Sequence, residues 1–124
     1  MKYRVLIVDD EALLVRTLSQ AFRDADYEVM AAESAEKALE VLDAGTQFDL
    51  MLLDNRLPGK SGLELLRLLG KPLPMRVVLM TAYDTNETYQ ESVRLGADLY
   101  LNKPFDLKAL LSKAAELVAK GARA

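Results

Sequence analysis

The sequence of 124 residues contains no cysteine, no histidine and no tryptophan. It can therefore form no disulfide, and it offers no Cys or His side chain as a nucleophile, general base or structural zinc ligand. It also lacks an apolar run of about 18 residues, which a membrane-spanning helix needs. The start, MKYRVLIVDDE, is too short in its apolar part for a signal peptide and has no cleavage site. We therefore expect a cytoplasmic protein without a membrane partner.

The chain is also short of basic residues. It carries 16 Lys and Arg against 19 Asp and Glu, a net charge of −3. A nucleic-acid-binding domain needs a basic face, so we expect no nucleic-acid binding by this domain. Apolar residues make up 51% and charged residues 28%, which is ordinary for a globular domain. The length indicates one domain, predicted over residues 1–120, with residues 121–124 as a tail or the start of a linker.

Five short apolar runs rich in Val, Leu and Ile recur along the chain, and segments of helical period lie between them. Runs of this kind are typical of strands buried on both faces, as in a parallel sheet. The predicted strands are residues 5–8, 28–32, 50–53, 77–80 and 99–101. The predicted helices lie near residues 14–22, 35–44, 63–69, 88–95 and 107–118.

Helix boundaries have recognisable signals. Ser34 and Asp106 are suitable N-caps, and Gly45, Gly70 and Gly96 stand where helices should end. Strand and helix alternate five times, which predicts an α/β fold with right-handed crossovers. We predict a five-stranded parallel sheet with strand order 2-1-3-4-5 and helices on both faces. This fold class is flavodoxin-like.

Polar side chains follow the predicted strands. Asp9 and Asp10 follow the first strand, Asp54 the third, Thr81 the fourth and Lys103 closely follows the fifth. Ligands of open parallel sheets bind at the carboxyl ends of strands where the strand order reverses, here between strands 1 and 3. The sequence therefore predicts that three carboxylates converge in one crevice.

Converging carboxylates are costly unless positive charge compensates them. Mg²⁺ prefers oxygen ligands and is typically held by one or two carboxylates, waters and a phosphate group. A carboxylate can also attack phosphorus to give an aspartyl phosphate. Asp54 is the candidate acceptor, and Thr81 and Lys103 are candidate donors to the added phosphoryl oxygens. We predict Mg²⁺ as the cofactor.

The segment LLDNRLPGKSG, residues 52–62, ends in Gly-Lys-Ser and invites comparison with a phosphate-binding P-loop. That motif needs a glycine five positions before its second glycine, where this chain has Asp54. A carboxylate there would repel a phosphate that only needs holding. We expect an ordinary turn at Pro58 and Gly59, with Lys60 in solvent.

Taken together, four segments resemble the response-regulator receiver domain, the phosphorylated half of a bacterial two-component pair. They are VLIVDDE at 5–11, LLDNRLPGKSG at 52–62, LMTA at 79–82 and GADLYLNKPF at 96–105, in this order and spacing. The resemblance implies that Asp54 is the phospho-acceptor. It implies Asp9, Asp10, Asp54 and the backbone carbonyl of Arg56 as the metal site.

The resemblance assigns further roles near the end of the domain. Thr81 and Lys103 match the phosphoryl-binding hydroxyl and ammonium groups, and Tyr100 matches an aromatic switch residue. The peptide bond Lys103–Pro104 matches one that is usually cis in the family. Arg56 and Tyr83 stand at positions that vary in the family and tune the lifetime of the phosphate.

The implied function is a signalling switch and not a classical enzyme. Phosphoryl groups would come from a histidine kinase or a small acyl phosphate and be lost to water. The face around helix 4, strand 5 and helix 5 would then change and control an output domain or a downstream effector protein. A second copy of the chain, bound in a phosphorylation-dependent homodimer, is a further expected partner. LNKPFDL resembles the nitrogen-regulator type of transcription activator, which would make transcription the output.

Alternative functions remain open at the level of sequence. A haloacid-dehalogenase-like phosphatase needs an acid two residues after its nucleophile, where this chain has Arg56. A flavodoxin-type carrier needs a Ser/Thr- or Gly-rich phosphate loop after strand 1, where this chain has three acids. A phosphorylation-independent scaffold tends to lose an acid or the lysine. Each polar residue also has a plain structural interpretation, such as helix capping by Asp9, Asp10 or Thr81, or packing by Tyr100.

Overall fold

The computed structural model describes residues 2–121, in which five strands alternate with five helices. The strands are β1 (Arg4–Val8), β2 (Glu28–Ala32), β3 (Leu50–Asp54), β4 (Arg76–Thr81) and β5 (Leu99–Asn102). The helices are α1 (Ala12–Asp24), α2 (Ala35–Asp43), α3 (Gly62–Leu69), α4 (Asn86–Arg94) and α5 (Leu107–Ala119).

The strands form one parallel sheet in the order β2-β1-β3-β4-β5, which confirms the predicted fold class. Val8 at the end of β1 pairs with Leu53, and Asp54 at the end of β3 pairs with Met80. The carboxyl ends of all strands therefore lie along one edge of the sheet. The segments that follow β1, β3, β4 and β5 meet at that edge.

The core has two halves, one on each face of the sheet. Side chains alternate along β3, so Leu50 and Leu52 pack on one face while Met51 and Leu53 pack on the other, all fully buried. The first face is covered by α1 and α5, and the second by α2 and α3. A fully buried leucine contributes about 1.5–3 kcal/mol to folding, so this double burial holds the frame of the sheet.

The predicted N-caps are confirmed. The Ser34 hydroxyl accepts a hydrogen bond from the backbone N–H of Lys37, and the Asp106 carboxylate accepts one from Lys108. The helix α3 begins with a capping box, in which two residues cap each other's backbone N–H groups. Ser61 accepts from the Glu64 N–H, and the Glu64 carboxylate accepts from the Ser61 N–H.

The helix α4 is held less firmly than the others. Of its nine described residues only Ser92 is buried, although Leu95 immediately after the helix is buried as well. An ion pair of 3.1 Å between Arg67 of α3 and Glu91 of α4 links the two helices. Exposed pairs of this kind are worth about 0–1 kcal/mol. The connection of α4 to the rest of the fold is therefore weak.

The final helix ends at Ala119, and the described part of the chain ends at Gly121. The predicted tail, residues 121–124, lies outside the described residues except for Gly121. Between residues 2 and 121, no helix combines the length and the apolar character needed to cross a membrane.

Candidate functional site: an acidic pocket around one lysine

Two acids follow β1 and differ sharply in exposure. Asp9 is 1% exposed, whereas Asp10 is exposed. The backbone N–H of Asp9 donates to the carbonyl of Ala32 in β2, and the Asp9 carboxylate accepts from the N–H of Glu11 at 2.9 Å. These bonds fix the Asp9 carboxylate at the edge of the sheet. Asp10 borders the neighbouring pocket.

Asp54 is the last residue of β3 and is 3% exposed. Its backbone lies directly against Gly62 at the start of α3. A Cβ on Gly62 would lie 2.5 Å from the Asp54 carbonyl oxygen, closer than real contacts allow. The neighbouring Asn55 side chain accepts from the Leu63 N–H, and its carbonyl accepts from Gly62. The loop after Asp54 is thus bound tightly to the helix that follows it.

The middle of this loop forms the predicted turn. Gly59 has a φ of +73°, a conformation that glycine adopts without a steric penalty. The Glu36 carboxylate of α2 lies against Gly59 and accepts a hydrogen bond from the Lys60 N–H at 3.3 Å. Lys60 is exposed, as expected. The Gly-Lys-Ser sequence therefore has a structural role within a turn.

Lys103 follows β5 and extends its ammonium group into the cluster of acids. The Nζ atom lies 2.6 Å from Glu11, 2.9 Å from Asp9 and 3.5 Å from Asp54. The Lys103 side chain is 10% exposed. Its backbone N–H donates to the Thr81 carbonyl at 2.7 Å, which joins the end of β5 to the end of β4. The bond between Lys103 and Pro104 is cis, as the resemblance implied, and Lys71–Pro72 is also cis.

The acids and the lysine alter one another's proton affinity. Burial, and then the negative charge of Asp9, raise the pKa of Asp54 to about 6, although Lys103 and the Arg56 backbone act against this shift. Burial acts to lower the pKa of Lys103, but the hydrogen bonds that Lys103 donates to Glu11 and Asp9 outweigh burial, and the pKa is raised. Lys103 is therefore charged at neutral pH, and the pocket holds more negative than positive charge.

The donor set fits a hard divalent cation. Carboxylate oxygens of Asp9, Glu11 and Asp54 lie within 4.8 Å of one another. Oxygen ligands and an excess of negative charge are the chemistry that Mg²⁺ requires. This grouping contains Glu11, which the sequence analysis did not consider a ligand, and does not contain Asp10. Asp10 lines the same pocket of about 420 Å³, so its role in metal binding stays a prediction.

Thr81 and Tyr100 lie on the neighbouring strands. Thr81 is fully buried at the end of β4, and its hydroxyl oxygen accepts from the Tyr83 N–H at 3.0 Å. Tyr100 in β5 is half-buried and donates its hydroxyl proton to Asp84 at 2.6 Å. Burial, and then this carboxylate, raise the pKa of Tyr100 to about 12. The Tyr100 ring also packs edge-on against Tyr89 of α4 at 5.3 Å.

Two exposed side chains form one wall of the pocket. The Arg56 guanidinium lies 4.0 Å from the centre of the Tyr83 ring, a cation–π contact. Both residues line the pocket that contains Asp54 and Lys103. The stacked pair therefore stands in the wall of the pocket that Asp54 also lines.

The structure brings together most of the predicted site and adds one residue. Lys103 contacts both Asp9 and Asp54, and Asp10 and Arg56 line the pocket that Asp54 and Lys103 also line. The contact that sequence reasoning missed is the one between Glu11 and Lys103. A signal was present, because Glu11 extends the acidic run Asp-Asp-Glu at the carboxyl end of β1.

Comparison with known proteins identifies a family. Residues 5–115 match the family described as the response regulator receiver domain. The chain is 41% identical over 123 residues to the response regulator protein FleR of Pseudomonas aeruginosa, covering 98% of this chain and 25% of FleR. Across the first curated relatives, the chain spans between 25% and 49% of their length.

Solved structures agree with this match. A CheY-like receiver domain protein from Methanospirillum hungatei has a TM-score of 0.89 at 32% identity, covering 97% of this chain and 96% of that one. The response regulator TrrA of Thermotoga maritima, solved in complex with Mg²⁺ and BeF, has a TM-score of 0.81 at 35% identity. That match covers 94% of this chain and 99% of TrrA.

Proposed function

The chain belongs to the response regulator receiver domain family, and on this premise we propose that it is a phosphorylation-activated switch whose acceptor is Asp54. The observation that carries the proposal is the contact of one buried ammonium with several carboxylates at the carboxyl edge of the sheet. Lys103 lies within 3.5 Å of both Asp9 and Asp54. Such a pocket suits a group that gains and loses negative charge.

Asp54 is the nucleophile in this proposal. A carboxylate oxygen of Asp54 attacks phosphorus, a new P–O bond forms, and the bond to the donor breaks with its electron pair leaving on the donor. The donor is a phosphohistidine of a histidine kinase or a small acyl phosphate. The reaction needs ionised Asp54, and a pKa of about 6 leaves it mostly ionised at neutral pH. Water later attacks phosphorus, the P–O bond to Asp54 breaks, and inorganic phosphate leaves while the Asp54 carboxylate is restored.

Charge on the transferred group needs compensation. Lys103 would supply it by donating to a phosphoryl oxygen from its place beside Asp54. Asp9, Asp10, Asp54 and the Arg56 carbonyl would hold Mg²⁺, which when bound supplies further positive charge for the phosphoryl oxygens. The buried Asp9 side chain keeps both the ammonium and the acidic cluster in place.

The switch is proposed to pass through Thr81 and Tyr100. The Thr81 oxygen accepts from Tyr83, so its own proton can be donated to a phosphoryl oxygen. Movement of Thr81 toward Asp54 would leave space that the Tyr100 ring can enter. Tyr100 would then exchange its bond with Asp84 for burial. This change would alter the face formed by α4, β5 and α5.

The proposed partners follow from this chemistry. A histidine kinase is the phosphoryl donor, and the altered face acts on an output domain or a separate effector. FleR extends well beyond the matched region, which supports an output domain joined to this receiver. A partner reads the state only if it binds the two conformations with different affinity. A homodimer formed on phosphorylation would satisfy the same condition.

Incubation with acetyl phosphate and Mg²⁺, followed by intact mass spectrometry, tests the proposal. We expect the mass of one phosphoryl group on the wild type and none on Asp54→Asn. Removing Mg²⁺ with a chelator should prevent labelling. An unlabelled wild type, or equal labelling of Asp54→Asn, would contradict the proposed function.

A further inference from the structure

The ammonium group of Lys103 is not shared equally among its acids. Its Nζ atom is closest to Glu11, at 2.6 Å, and furthest from Asp54, at 3.5 Å. The side chains of Asp9 and Asp54 are 0% and 4% exposed, whereas that of Glu11 is 59% exposed. The shortest contact of the buried ammonium is therefore with the acid that can most easily leave it.

We infer that Glu11 is a positioning residue that holds the Lys103 ammonium away from Asp54 until Asp54 is phosphorylated. The inference rests on the proposed function, because it concerns how that site changes on phosphorylation. Glu11 and the phosphoryl group draw the same ammonium group in different directions. Glu11 thus favours the unphosphorylated state.

The geometry gives the reason for this competition. An ammonium has three N–H donors in fixed relative directions. Two of them are used by Glu11 and Asp9 at hydrogen-bonding distance, and Asp54 stands at the outer limit. A phosphoryl group on Asp54 adds strong acceptor oxygens and roughly one further negative charge. The third N–H can reach this group, but moving the ammonium closer to it lengthens the contacts with Glu11 and Asp9. Of these two acids, only Glu11 is exposed enough to return to water.

Helix capping does not account for the Glu11 side chain. Glu11 occupies the N-cap position of α1, but its carboxylate makes no cap hydrogen bond with the described helix. Its backbone N–H is already fixed by the Asp9 carboxylate at 2.9 Å. The side chain reaches across to a residue 92 positions away in sequence. Its contact is with Lys103 and the pocket, which is consistent with a role in the site.

Equilibrium binding of beryllofluoride, a stable phosphoryl mimic, tests the inference at saturating Mg²⁺. The variants are Glu11→Gln, which removes the charge, and Glu11→Asp, which keeps the charge but shortens the side chain by one methylene. Loss of a partly exposed ion pair should tighten binding in both variants by about two- to fivefold. Glu33→Gln is the matched control, since Glu33 is an exposed acid beside Asp9 and Asp10 that lines the adjoining groove. It should bind as the wild type does.

The other outcomes overturn the inference. Tighter binding by Glu11→Gln with unchanged binding by Glu11→Asp would mean that Glu11 acts only through its charge. Unchanged binding by both would mean that Glu11 does not compete. A loss of Mg²⁺ affinity above about tenfold in Glu11→Gln would instead make Glu11 part of the metal site, as a ligand or as a residue that holds one. Thermal melting confirms that each variant is folded.

A structure of the wild type with Mg²⁺ and beryllofluoride gives an independent readout. We expect the Lys103 Nζ atom to have left Glu11 and to contact the fluoride ligands. A retained contact between Lys103 and Glu11 would overturn the inference even if affinities changed. If the wild type binds no beryllofluoride, the proposed function fails and the inference fails with it. If it binds and the Glu11 variants behave as the wild type, only the inference fails.

Discussion

Replacing Asp54 by asparagine should stabilise the metal-free protein at neutral pH. Burial and the Asp9 charge raise the pKa of Asp54 from 3.8 to about 6 in the folded state. A raised carboxyl pKa means that ionised Asp54 opposes folding, and a shift of about two units corresponds to roughly 3 kcal/mol at pH 7. The 3.5 Å contact with Lys103 is already contained in this raised pKa, because it acts against the shift. We expect a net increase in the free energy of unfolding of about 1–3 kcal/mol.

The measurement is urea denaturation of both proteins in the presence of a chelator, at pH 7 and at pH 5. Between pH 7 and pH 5, folded Asp54 takes up a proton while unfolded Asp54 stays mostly ionised. The folded wild type therefore gains stability relative to the variant as pH falls. The difference between the two proteins should shrink by about half at pH 5. Added Mg²⁺ should also reduce it, because a cation that binds the folded wild type stabilises that protein.

A matched variant separates this effect from a general loss of negative charge. Asp43→Asn removes an exposed carboxylate at the end of α2, at the opposite edge of the sheet from Asp54. Its stability should change by less than about 0.5 kcal/mol. The reasoning is refuted if Asp54→Asn is no more stable than the wild type at pH 7 without metal. It is also refuted if the difference does not depend on pH.

Three further predictions concern single side chains. Gly62→Ala should lower the free energy of unfolding, measured by urea denaturation, by about 1–3 kcal/mol. The added Cβ would lie 2.5 Å from the Asp54 carbonyl oxygen, and unchanged stability would show that the loop can move aside. Arg56→Ala should shorten the half-life of phosphorylated Asp54 by about two- to fivefold, since it opens the stack over Tyr83, and an equal or longer half-life would contradict this. Absorbance titration of the wild type should reveal a tyrosine that ionises near pH 12, and this step should be absent from Tyr100→Phe if it is assigned correctly.

The sequence predicted the sheet well because buried parallel strands leave an unmistakable pattern. All five predicted strands lie within the observed ones and miss at most one residue at either end. The helix α4 was predicted less well, since it begins at Asn86 after Thr85 and not at Thr88. Only Ser92 of that helix is buried, so it has little apolar periodicity to read. Its start depends on a threonine cap, a weaker signal.

The residues of the candidate site that follow directly after strands could be predicted from the sequence. Contacts that depend on the direction of a long side chain were harder to predict. Asp9, Asp54 and Lys103 follow neighbouring strands, so the topology alone places them together. The Glu11 contact depends on a long side chain that turns back from a helix N-terminus. Residue spacing does not encode that direction. The stack of Arg56 on Tyr83 joins two loops and was likewise invisible in the sequence.

The weak connection of α4 to the rest of the fold affects where a structural change in the pocket is transmitted. The sheet and the helices that cover its two faces are held together by many fully buried side chains. By contrast, α4 has one buried side chain, a partly exposed ion pair and one aromatic contact, so it can be displaced at a lower cost than the other helices. A small structural change at the strand ends would therefore produce its largest displacement at α4, and smaller displacements in the rest of the protein.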